Sequence, residues 1–158
     1  MSERTGVYHG ATMLKLAGIL SGLVALLHLA VIFVGASAYR YFGAGEEMAQ
    51  LAQRGSPLPA LITGAIVAVF AVWALYGFSG AGWIRRLPLL RIGLLTIGVV
   101  YTLRGLALGP ELVWHFSGGA ALVPARLPVF SAVSLLTGVL YLWGTLRAWT
   151  RLSRRPAS

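Results

Sequence analysis

The sequence predicts an all-α protein: a four-helix transmembrane bundle with both termini in the cytoplasm and a short interfacial helix in each of its two outer connections. Three observations predict it. Hydrophobic residues make up 58% of the chain, charged residues only 11%, and mean hydropathy is +0.79, values that belong to a membrane protein rather than a soluble domain. Four apolar stretches reach the roughly 20 residues that a bilayer-crossing helix needs at about 1.5 Å rise per residue. They run from Met13 to Gly35, Leu58 to Phe78, Leu87 to Leu108 and Leu127 to Trp149. The cations are also unevenly divided: Arg4, Lys15, Arg85, Arg86, Arg91, Arg147, Arg151, Arg154 and Arg155 fall on one side of such a bundle, against Arg40, Arg54, Arg104 and Arg126 on the other. By the positive-inside rule the richer side is cytoplasmic. Little of the 158 residues is left over, so residues 1–158 are read as a single membrane domain with no soluble enzyme core.

Composition removes several function classes. With no cysteine, the chain has no disulfide, no thiolate metal site and no redox dithiol. A formal charge of +9 reads as anchoring on anionic headgroups. Nucleic acid is not an expected partner, because no polar segment interleaves basic with aromatic residues.

Taken in order, the chain opens on MSERTGVYHGATMLK, polar and mildly basic before the first apolar run. Ala36-Ser37-Ala38 matches a small-x-small cleavage site, but the run before it is about twice the usual length of a signal peptide core, so a retained transmembrane helix is expected. Gly18 and Gly22 make a GxxxG face, either a close-approach surface or a chance match in a chain with 20 glycines. His28 lies seven residues from Gly35, about 10 Å inside by helical rise. At that depth it is expected to be neutral, either hydrogen-bonded to another helix or facing a ligand in a polar cavity.

Between Ala36 and Ser56 the chain leaves the apolar phase. Gly45 precedes Glu46 and Glu47, which suit the positive end of a helix dipole, and Arg54-Gly55 supplies a cation and a stop. A short helix from Glu46 to Gln53 follows, with Met48, Leu51 and Ala52 on the face expected to lie in the membrane interface. The second long helix opens on Pro57-Leu58-Pro59, where a missing N–H costs little, and Gly64, Ala65, Ala68, Ala71 and Ala74 make it thin on one side. Trp73, Tyr76, Phe78 and Trp83 gather near its far end as an aromatic belt.

The third long helix carries Tyr101 and Arg104 on one face and ends near Gly109-Pro110. Arg104 is expected either to snorkel to the outer interface or to turn inward onto a carboxylate. Pro110-Glu111 starts a short interfacial or re-entrant turn holding Trp114, His115 and Phe116. Leu127-Pro128 opens the fourth helix as Leu58-Pro59 opened the second, and Ser134, Thr137 and Gly138 give it a small polar face. The tail RAWTRLSRRPAS suits anionic headgroups.

Catalytic motifs are missing. The chain has no Asp, no His-Glu-x-x-His and no Gly-x-Ser-x-Gly, and Ser37 and Ser117 lack the setting of a nucleophile. The remaining chemistry collects on the outer side: His28, Arg40, Glu46, Glu47, Tyr101, Arg104, Glu111 and His115. Of these, His28, Tyr101, Arg104, Glu46, Glu47 and Glu111 are the candidate ligand-binding residues. No cofactor and no metal is expected, a b-type haem on His28 and His115 being the weaker alternative.

The segments YRYFGAGEE, LYGFSGAGWIRRLPLLR and YTLRGL give the chain, to about Leu106, a pattern that resembles uncharacterised small four-helix integral membrane proteins of bacterial inner membranes. The resemblance implies an architecture and a compartment, and brings no activity. The expected function is binding of a lipid or hydrophobic small molecule at the outer polar cluster, or service as an accessory subunit. An intramembrane enzyme using Glu or His acid–base chemistry with Arg104 is the alternative, and a small oligomeric transporter or channel a further one.

Overall fold

A computed structural model describes residues 2–119 and 124–153, with side chains described over 8–117 and 124–153. Every regular element among them is helical: α1 (Ser2–Val34), α2 (Ala36–Phe42), α3 (Glu46–Gln53), α4 (Leu58–Ala81), α5 (Leu90–Gly105), α6 (Leu108–Trp114), a π-helical turn (His115–Gly119), α7 (Arg126–Arg147) and α8 (Trp149–Ser153). Four helical runs are long and apolar enough to cross a membrane: Tyr8–Val34, Leu58–Ala81, Leu90–Ser117 and Arg126–Arg147. Helices are what a bilayer permits, since every backbone N–H and C=O in hydrocarbon must be satisfied within the segment. Leu26, Leu61, Leu103 and Leu136 are all exposed, as side chains facing lipid tails would be. Arg154 and Arg155, expected along the headgroups, lie outside the described residues.

The helix ends differ from those expected. α1 begins well before Met13 and stops one residue short of Gly35, whose φ of +76° turns the chain into α2. That left-handed geometry suits a residue without a Cβ. α4 runs three residues past Phe78. α5 starts at Leu90 rather than Leu87, because Pro88 and Leu89 precede it and Leu89 is itself left-handed at φ +50°. At its other end it does not terminate at Leu108. Leu106 and Ala107 keep right-handed helical angles, so the run passes through Pro110 to Ser117. Pro110 is tolerated there because it lies in the first turn of α6.

The chain divides into two compact units, one formed by Met1–Gly18 with Leu75–Ser158 and the other by Ile19–Ala74. In the second, α2 and α3 fold back on each other between Gly43 and Gly45. The small core there joins Val31 of α1, Ala38 and Tyr39 of α2 and Ala49 of α3, with Phe42, Met48 and Ala52 packed beside them. Met48 and Ala52, two of the residues on the face expected in the membrane interface, are half-buried against this core. The buried Tyr39 hydroxyl accepts a 3.4 Å hydrogen bond from Thr63, tying α2 to α4.

In the other unit α5 and α7 pack along their lengths through small residues. A Cβ built on Gly138 would meet the Thr102 side chain at 2.4 Å, and one on Gly105 would meet the Leu135 backbone at 2.5 Å. Tyr101 stacks on Tyr141 with ring centroids 6.0 Å apart. Gly18, the first residue of the GxxxG face in α1, is used similarly: a Cβ on Gly77 would lie 2.6 Å from the Gly18 Cα. With lipid tails as apolar as leucine, such close backbone contact is the main attraction available between membrane helices. Of the polar face expected on α7, Thr137 and Gly138 are buried and Ser134 is half-buried; Thr137, and Thr145 two turns on, donate to their own helix at Val133 and Tyr141, so neither hydroxyl needs a partner across the interface.

The connection between α4 and α5 is pinned rather than loose. Buried Ser79 donates to the Arg85 carbonyl at 3.1 Å and accepts from the Leu87 N–H at 2.9 Å, while the Tyr76 hydroxyl donates to the Pro88 carbonyl at 3.1 Å. Arg151 of α8 donates to the Gly80 and Ala81 carbonyls, which are left open at the end of α4 and carry the negative end of its dipole.

Candidate functional site

The candidate residues fall in both units, and each group stands by itself. His28, Arg40, Glu46 and Glu47 belong to the unit Ile19–Ala74; Tyr101, Arg104, Glu111 and His115 belong to the other.

In the first group, α3 starts at Glu46 because Gly45 (φ +98°) releases the chain from α2 and a carboxylate favours the helix N-terminus. This brings Glu46 under Arg40. The Arg40 Nε donates to Oε2 and the Nη2 to Oε1, both at 2.8 Å, a bidentate pair, and Nη2 also reaches Gln53 at 3.2 Å. The hydrogen bond from Arg40 holds the Glu46 carboxyl below its ordinary range, and the same bond raises Arg40. The pair is exposed. Glu47 points to the surface on the next position.

His28 makes a bond within its own helix. Its Nδ1 lies 2.8 Å from the Val24 carbonyl of its own helix, and since a carbonyl can only accept, Nδ1 carries the proton. Its ring lies 5.2 Å from that of Phe70 on α4. The bond expected to another helix is thus made within α1, because an imidazole reaches back one turn to i−4 as a serine does.

A feature of this unit that the sequence did not signal is an apolar groove of about 410 Å³ at the α1–α2 bend, lined among others by Leu27, Val31, Val34, Ala38, Tyr41 and Phe42. It exists because Gly35 breaks one apolar run into two helices whose side chains then face each other across the bend. The end of the apolar run at Gly35 was visible; a helix resuming at Ala36 across a bend was not.

In the second group, the Arg104 Nη1 donates to the Ser131 hydroxyl of α7 at 2.8 Å and lies 4.0 Å from Glu111 Oε1. Arg104 therefore reaches across to α7 and lies near a carboxylate, while half of its side chain stays exposed. Glu111 is brought within reach because the helix continues past Leu108 and returns it to the Arg104 face two turns on. Its side chain is only 17% exposed, and Oε2 is buried without a hydrogen-bond partner among the described residues. Tyr101, one turn before Arg104, is buried against Tyr141. His115 stacks edge-on with Phe116 at 5.5 Å. Among the described residues no three His, Cys, Asp or Glu side chains gather as a metal site would require.

Membrane-length helices, exposed leucines along them and charges drawn into pairs near the helix ends together support a helical multi-pass membrane protein. No family model matches the chain, and no curated protein or solved structure matches it either.

Proposed function

We propose that the chain is a small multi-pass protein of a bacterial inner membrane that binds a lipid or other hydrophobic small molecule at its outer face, with both termini in the cytoplasm. The apolar groove at the α1–α2 bend carries the reading. At about 410 Å³ it falls in the range of small-ligand sites, and one of its walls is α2, the helix that also carries Arg40 of the exposed charged pair. Binding is favoured over chemistry in this unit because both Glu46 oxygens are taken by Arg40. A carboxylate so engaged is a poor general base.

One observation favours a second reading, acid–base chemistry on a lipid-like substrate: Glu111 has a buried oxygen, unpartnered among the described residues, beside Arg104. One experiment separates the two. The protein is extracted gently from its own membrane and weighed by native mass spectrometry, alongside Ser37→Trp, which fills the groove from an exposed position, and Glu111→Gln. The proposal expects a stoichiometric hydrophobic species that is lost in Ser37→Trp and kept in Glu111→Gln. Loss in Glu111→Gln alone moves the site to Arg104 and Glu111; a clean apo-mass in the unaltered protein overturns both.

A further inference from the structure

Away from the outer cluster, the arginine-rich end of α5 holds a second concavity, of about 330 Å³, between the α4–α5 connection, the first two turns of α5 and α8. Its floor and wall are Leu90, Leu95 and Trp149, its mouth is Arg86 and Arg91, and none of its lining residues is acidic. Leu89 and Ile92, also lining it, are strongly exposed, so the apolar wall continues outward along the helix.

The arginines here are held in place. The Arg91 guanidinium lies 4.2 Å from the centroid of the Trp149 ring and donates to the Ser153 hydroxyl, and Arg86 donates to the Leu152 carbonyl. A freely snorkelling arginine would extend away from the protein into water; these two are folded back by α8 so that their cationic groups rim an apolar cavity. Arg91 Nε is buried with no acceptor among the described residues. Two fixed cations over leucines, with no carboxylate in the lining, form the complement of one kind of molecule. It has a phosphate to accept from the guanidiniums and acyl chains to lie along Leu89, Ile92 and Leu95.

We infer that this pocket is a binding site for an anionic phospholipid, its phosphate between Arg86 and Arg91 and one acyl chain leaving along the exposed face of α5. A zwitterionic headgroup carries its own cation into the same field and is disfavoured. The site is independent of the groove at the α1–α2 bend.

The test is native mass spectrometry of the full chain in detergent with equimolar phosphatidylglycerol and phosphatidylcholine. The anionic lipid is expected to be retained preferentially, and Arg86→Gln and Arg91→Gln each to weaken that preference about fivefold. Arg85→Gln removes the same charge from the same connection without touching the pocket, and is expected to leave it unchanged. Leu95→Trp fills the apolar floor while keeping every arginine, so it reads the site even if an arginine variant fails to fold. It is expected to abolish retention. Equal retention of the two lipids, or an equal loss in Arg85→Gln, overturns the site. Displacement of the lipid by inorganic phosphate overturns its assignment to a lipid.

Discussion

Arg104 of α5 and Ser131 of α7, twenty-seven positions apart in the chain, are joined by a 2.8 Å hydrogen bond from the guanidinium to the hydroxyl. Ser131 is fully buried, so the bond draws a permanent charge onto the α5–α7 contact, and Glu111 completes its surroundings from two turns along. Ser131→Ala therefore removes an acceptor from a cation and is expected to cost about 1 kcal/mol in a reversible detergent-unfolding titration. Ser134→Ala is the comparison. Its hydroxyl donates to the Phe130 carbonyl of its own helix, and its loss is expected to change stability by less than about 0.5 kcal/mol.

The Arg40–Glu46 pair makes the α2–α3 fold-back sensitive to acid. Because Glu46 is held below the ordinary 4.5, the pair's contribution is fully present above that value and is lost as pH falls through the lowered one. Hydrogen exchange of the α3 amides, corrected for its intrinsic pH dependence, should show protection falling on acidification. Glu46→Gln should flatten the profile; an unchanged profile would mean that the pair does not hold α3.

Close helix contact predicts a contrast between two glycines of α4. Gly77→Ala places a Cβ against the Gly18 backbone, which cannot yield as a side-chain tip can, and is expected to cost about 1–3 kcal/mol. Gly64→Ala meets nothing within 4 Å and gains helix propensity, so its thermal midpoint should hold or rise. Equal midpoints for the two variants would remove the argument for glycine-mediated packing.

His28 offers a test of a ligand role for the histidine. Its Nδ1 proton goes to Val24 and its ring lies against Phe70, so His28→Leu is expected to shift stability by less than about 1 kcal/mol; Nε2 keeps its lone pair, but His28 does not line the groove, so the groove reading expects the visible spectrum and any bound species unchanged. A Soret band present before the substitution and absent after it would reinstate the haem alternative.

The expected orientation can be read chemically, since the chain has no cysteine of its own. With both termini cytoplasmic, Glu47→Cys should react with an impermeant maleimide on intact cells and Ile84→Cys only after permeabilisation. The reverse pattern would invert the topology.

What the sequence determined by itself was whatever depends on composition and near neighbours. The four apolar runs became four membrane-length helices, since a bilayer leaves an isolated apolar stretch of that length no other regular structure. The short helix from Glu46 to Gln53 was legible to the residue because its signals are local: Gly45 in a left-handed turn, two glutamates on the dipole, Arg54-Gly55 at the end. The candidate site was legible only as residue types. Tertiary structure decided which way Arg104 turns, because Ser131 comes from another helix. It also decided that the helix runs on through Pro110 and carries Glu111 to that charge, and that Gly18 meets Gly77. Both pockets belong to this second category. The groove at the α1–α2 bend needs the rotation at Gly35, and the arginine-rimmed pocket needs α8 to fold back under α5. A cavity is the space between elements, and that space depends on angles and distant contacts for which the order of residues carries no local sign.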